Sequence, residues 1–295
     1  MDEHCRGAIP MDLTTVPEIR SWLGALSDWR NGGNLRGPRF IKPFHLATLA
    51  LTAKRADAID LNLPPDIQGY AARMDLWRAA GLTPPVAVTR RDPTGRFVPT
   101  QALVDEDHVW NVTNELVAIA PGSIDEETRG SLWSIVHELV ENCFAHSAPE
   151  IDLHGLACAQ AWLGGSLAQI AIADPGIGVR AALSENTEYT KDLQCNNSCE
   201  FATRYSVSGK LGQHHSGYGL TLARDTLKRS EGGFTLVSQG EIFACKRAES
   251  YAGDIVHPWA GTLLVIEWHL DRPLDVVSVY NSWPAPEGAS DEDFF

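Results

Sequence analysis

The chain is short of positive charge. Its 295 residues hold 24 Lys and Arg against 38 Asp and Glu, a net charge of −14. A nucleic-acid backbone as partner usually needs a basic face, so this balance argues against one. The deficit sits in one part: residues 1–110 carry 13 basic and 13 acidic side chains, residues 111–295 carry 11 and 25. That asymmetry suggests a chain of two parts. Long apolar runs are also missing. The longest charge-free stretch, 155–173, is interrupted by Gln160, Gly164, Gly165, Ser166 and Gln169. It reads as a buried β-hairpin turned at the Gly pair, and neither a membrane span nor a membrane partner is expected. Residues 1–10 are polar and lack the apolar core of a secretory signal. The 6 Cys are scattered, as reduced thiols of a cytoplasmic protein would be. There is no internal repeat, no sustained heptad pattern and no G-x-x-x-x-G-K-[ST] phosphate loop. At 44% hydrophobic and 21% charged, the chain is neither disordered nor collagen-like.

Along the chain, 12–30 reads as a helix around Ile19, Trp22, Leu23 and Leu26, stopped by Asn31, Gly32 and Gly33. Pro43 opens a second helix to Arg55. Residues 58–63 alternate as a strand, and 67–80 returns to a helical period capped by Gly81. A Pro- and Gly-rich stretch at 83–99 suggests a loop or paired edge strands, and 103–120 a linking helix. The expected division is an N-terminal segment 1–38, a small α/β module 39–100, a linker 101–127, an α/β domain 128–275 and an acidic tail 276–295, mobile in solution.

The chemistry concentrates after Ser131. Glu138, Asn142 and His146 recur every four residues beside an apolar stripe of Leu132, Ile135, Val136, Leu139 and Val140, which stacks them on one helix face. A carboxylate there can polarise a nucleophile, and an amide oxygen suits Mg²⁺. The bland alternative is a polar face in water. His137-Glu138-x-x-Glu141 also approaches a zinc-protease helix, with Glu where a second His belongs. Farther on, an apolar strand from Leu167 ends in Asp174-Pro175-Gly176-Ile177-Gly178. Asp174 can accept from an exocyclic amine, and the glycines let backbone approach a ligand; an ordinary strand-to-turn corner reads the same way. Then Gly217-Tyr218-Gly219-Leu220 opens a helix, whose first N–H groups favour phosphate, or simply form a loop and cap.

These segments, in this order, resemble the GHKL ATPase superfamily of gyrase B, heat-shock chaperones, histidine kinases, mismatch-repair ATPases and anti-sigma-factor serine kinases. The N-box looks like 137–147, the glycine boxes like 174–178 and 217–220, and 261–267 resembles the closing strand, where Gly261 and Thr262 lie beside the nucleotide. The resemblance covers about 128–270. It implies a two-layer sandwich, a mixed sheet backed by helices, that binds ATP and Mg²⁺. In it Asn142 would ligate Mg²⁺, Glu138 would be the general base, and Asp174 would bond the adenine amino group. Gly176 and Gly178 would admit base and sugar, and Gly217, Gly219 and Leu220 would meet the phosphates. A lid would run from Gly178 to Gly217, with Lys210 the first choice to reach the γ-phosphate over His214 and His215, or a solvated lid charge. Cys195 and Cys199 with these histidines imitate a metal site at an uncommon spacing.

The ending from Asn142 to Ser147 resembles the anti-sigma serine-kinase branch. Residues 39–82 resemble STAS-type domains. His108 stands without a coiled coil, which argues against a sensor histidine kinase. About 25 residues after Leu270 are too few for a clamp transducer, though a homodimer through the N-terminal unit stays open. The expectation is a nucleotide-dependent switch acting on a regulatory protein partner, with Ser/Thr kinase or slow ATPase activity. The alternative is a non-catalytic nucleotide sensor.

Overall fold

The computed structural model describes residues 9–88, 92–146, 153–209 and 217–284. Four helices come first: α1 (Thr15–Arg30), α2 (Pro43–Arg55), α3 (Pro65–Arg73) and α4 (Leu76–Ala79). A strand β1 (Phe97–Leu103) and a helix α5 (Val109–Val117) lead to the long α6 (Glu126–His146). Then come the hairpin β2 (Gly155–Trp162) and β3 (Leu167–Asp174), the short helices α7 (Val179–Ser184), α8 (Thr190–Cys195) and α9 (Ser198–Phe201), and α10 (Gly219–Arg229). A long hairpin, β4 (Gly233–Lys246) and β5 (Glu249–His269), and α11 (Val276–Tyr280) close the described chain.

The five strands form one sheet in the order β1-β2-β3-β5-β4. Every neighbouring pair is antiparallel, so the expected mixed sheet is corrected to an antiparallel one. Strand alternation divides the side chains between two cores. On β3, Ala168, Ile170 and Ile172 join Leu132, Val136 and Leu139 of α6 and Leu222 and Leu227 of α10. The intervening Ala171 and Ala173, with Cys158 of β2 and Val265 of β5, face Phe44, Leu49 and Ala50 of α2 and Ile19 and Leu23 of α1. Both faces of the sheet are therefore covered, and the architecture has three layers where the sequence suggested two. The small residues on the second face explain the third layer, because they let α2 approach the strands closely.

Two N-terminal expectations are corrected. Within 58–63 only Leu61 and Leu63 are buried, Ile59 on the same parity is exposed, and the segment forms no strand. Its polar groups go elsewhere: Asp60 accepts from its neighbour Leu61 N–H at 2.7 Å, and the Trp77 indole donates to the Leu61 carbonyl at 3.2 Å. No strand lies between 39 and 96 among the described residues, so the module is helical there. The linking helix is shorter than 103–120, since Leu103 still pairs with Gly155 and α5 begins at Val109. The predicted 67–80 helix breaks at Asp75, which takes a left-handed φ of 55°. The hairpin in 155–173 is present as read. No helix among the described residues is long and apolar enough to cross a membrane.

Candidate functional site

Helix α6 is amphipathic in a useful way. Its Leu132, Ile135, Val136, Leu139 and Val140 are buried against the sheet, and the adjoining face turns Glu138 and Asn142 into a cleft. The floor is made by apolar side chains of three strands, Ile172, Leu236 and Leu264. The far wall is built from Val179, Ala182 and Leu183 of α7 and from the start of α10. The cleft holds ≈ 1120 Å³ of empty space, its solvent-open mouth included. Glu138, Asn142, Asp174, Gly178, Gly217, Gly219, Leu220 and Thr262 all line it. Gly176 is not among the lining residues; its N–H donates to the Asp174 carboxylate at 2.7 Å. Lys210, His214, His215, Ser147 and the side chain of His146 lie outside the described residues.

On the sheet side, Asp174 closes β3 opposite Thr262 of β5. Burial pushes its carboxyl up to about 6, against hydrogen bonds from Gly176 N–H and from the Thr262 hydroxyl and N–H, and against the charge of Arg55. The strands cross tightly here. Gly261 has φ +105°, and a Cβ on it would stand 2.1 Å from the Asp174 carbonyl oxygen, so only glycine fits. Ser238 of β4 ties the corner, donating to the Gly261 carbonyl at 2.8 Å and accepting from Val179 N–H at 2.9 Å.

Across the cleft, the first N–H groups of α10 have no intrahelical acceptor, and Gly217, Gly219 and Leu220 bring them to it. Glu138 sits opposite. Burial first, and then the neighbouring Glu141 charge, raise its carboxyl above the ordinary value. His137 stacks on Trp133 with ring centroids 4.5 Å apart and pairs with Glu141 at 3.4 Å. No cluster of three metal-capable side chains occurs among the described residues. Cys195 is exposed and Cys199 buried, so these two face different surroundings.

The segment expected as a lid is partly folded. Arg180 of α7 reaches Glu241 of β4 at 2.6 Å and the Asn196 carbonyl at 3.1 Å, and it also bonds the Leu193 carbonyl. Glu241 in turn accepts from Ser198 N–H at 3.1 Å and from the Ser198 hydroxyl. These bonds fasten 179–201 to the sheet edge. The C-terminal segment, expected as a mobile tail, folds over the second glycine box as far as Pro284; the rest of it lies outside the described residues. Trp283 packs on Tyr205 and Tyr218 at 5.2 and 5.5 Å, and its indole donates to Asp225 at 3.2 Å.

Sequence reasoning missed Arg55, Ser238 and the Arg180–Glu241 pair. Each acts from outside the motifs, and a single basic or hydroxyl residue in a helix or strand carries no local signal of such a role. Compared with models of known families and with curated proteins, the chain matches none.

Proposed function

We propose that the cleft binds ATP with Mg²⁺ in the manner of the GHKL superfamily, and that the bound nucleotide sets the state of a switch read by a protein partner. One observation carries this reading. Residues of three short motifs far apart in the chain, and Thr262 of the closing strand, line one cleft with compatible chemistry. The Asp174 carboxylate lines it beside apolar strand residues, Asn142 and Glu138 line it from α6, and open helix N–H groups line it from the start of α10.

The residues fit the ligand. Ile172, Leu236 and Leu264 offer an apolar bed for a base. Asp174, ionised above about 6, accepts from an exocyclic amine. The start of α10 presents backbone donors and the positive end of its dipole to phosphates. The Asn142 amide oxygen is a hard donor for Mg²⁺ beside those phosphates. Glu138, with its raised affinity for a proton, is suited to accept one from a water or a partner hydroxyl. Bound Mg-ATP supplies the phosphoryl group and the cation that neutralises it.

Calorimetry with Mg-ATP tests this. The wild-type chain binds; Asn142→Ala loses Mg-dependent affinity, and unchanged affinity removes the assignment. Labelled ATP then separates the two forms of the switch. Turnover or a phosphorylated partner that disappears in Glu138→Ala, with binding retained, marks an enzyme. Binding with no turnover in the wild type marks a sensor.

A further inference from the structure

We propose that Arg55, on the N-terminal helical layer, is a positioning residue that gives the cleft its preference for a purine bearing an exocyclic amine. The proposal rests on the ATP reading above and extends it to a residue outside every motif of that reading.

Arg55 is the last residue of α2. Its guanidinium donates to two carbonyls, that of Ala260 within β5 at 2.6 Å and that of Pro175 just past the end of β3 at 2.8 Å. Pro175 directly follows Asp174, and Ala260 directly precedes Gly261 and Thr262. The guanidinium therefore bridges the two backbone segments between which the Asp174 carboxylate is held. That junction has no slack, because Gly261 already lies against the Asp174 carbonyl. The Asp174 carboxylate depends on the same two segments for its donors, Gly176 N–H on one side and the Thr262 hydroxyl and N–H on the other. Holding the segments together fixes the direction in which the remaining carboxylate lone pairs point. An amine on the base is recognised only if they point at it. A planar fork can serve two carbonyls at once, whereas an ammonium on a flexible stem serves such a pair poorly.

The test compares the full-length wild type with Arg55→Ala and Arg55→Lys, each titrated with Mg-ATP and with Mg-inosine triphosphate. The latter carries a carbonyl oxygen where adenine has its amino group. Hydrogen exchange of the unliganded proteins is followed at 174–178, at 259–262 and, as a folding control, in α10. Arg55→Ala is expected to weaken ATP binding by about tenfold or more, to leave inosine triphosphate within about twofold, and to lower protection at 174–178 and 259–262 with α10 unchanged. Arg55→Lys falls between. Unchanged ATP affinity, or equal losses for both nucleotides, overturns the proposal while leaving the ATP reading in place. A wild-type chain that binds neither nucleotide overturns both. In that case the exchange data still decide whether Arg55 holds the two segments together.

Discussion

Gly219 stands against Glu138: a Cβ at Gly219 would come within 2.5 Å of the Glu138 Oε2 and 3.1 Å of its Cβ. The second glycine box is thus shaped by the carboxylate of the first motif. The atom in the way is the far end of a flexible side chain, so Gly219→Ala should move the carboxylate rather than unfold the protein. The expected outcome is a fall in any ATP turnover of about tenfold or more, with a melting temperature within a few degrees of wild type, read by single-turnover kinetics and calorimetric scanning.

Gly261→Ala should behave differently. Its added methyl meets the Asp174 backbone carbonyl at 2.1 Å, and the residue sits at φ +105°. Neither strand can yield without breaking the β3–β5 pairing at Asp174 and Thr262. A destabilisation of about 3 kcal/mol or more is expected, measured by chemical unfolding.

Nucleotide affinity should depend on pH through Asp174. Its folded carboxyl is raised to about 6 from the model-peptide 3.8 by burial. Protonation removes an acceptor, so affinity should rise with pH up to about 6, by at most about tenfold per pH unit, and level off above it. Stability of the unliganded protein should move the other way, because ionising a buried carboxyl opposes folding: the contribution is present below 3.8 and lost as pH rises through about 6. The charged and titratable groups facing Asp174 are Arg55 of α2 and the Cys143 thiol of α6, itself held protonated by burial and by Asp174. Asp174→Asn should abolish both dependences. It also serves as the baseline for the ligand's own phosphate titration.

Arg180→Ala should loosen 179–201. The Glu241 carboxyl would be raised by burial, yet the Arg180 and Ser198 hydrogen bonds and the Arg180 charge hold it below its ordinary value. Removing Arg180 leaves that half-buried carboxylate and two carbonyls short of donors. With the arginine side chain 40% exposed, a loss of about 1–3 kcal/mol is expected. Because the Glu241 carboxyl is depressed, its wild-type contribution is present above pH 4.5 and lost as pH falls through the folded value. The stability difference between wild type and variant should therefore narrow in acid.

Much of the cleft was legible in the sequence because its motifs are local. A four-residue spacing puts Glu138 and Asn142 on one side of α6, and glycines mark where the backbone must turn or yield. Leu167 to Asp174 reads as a strand from its apolar run, and it is one. The N-terminal part was less legible. At 58–63 the alternation of Leu61 and Leu63 is genuine burial, but an inward-facing extended segment needs no partner strand when Asp60 and Trp77 take its polar groups. The second covered face was invisible because it depends on contacts between residues more than a hundred positions apart, such as Phe44 with the far side of β3, and the directions of β1 against β2 and of β3 against β5 rest on pairings outside any one motif.

That second covered face bears on how the chain can be divided. Leu156, Cys158, Ala171, Ala173, Leu263 and Val265 are all buried where the N-terminal helices meet the sheet. A fragment starting at 128 would retain every glycine box yet present this apolar surface to water, and it would lose β1 from the sheet edge. Such a fragment should precipitate or self-associate. The cleft is therefore not a module that can be cut away at 128 and stay folded. The unit that packs together runs from α1 to α11.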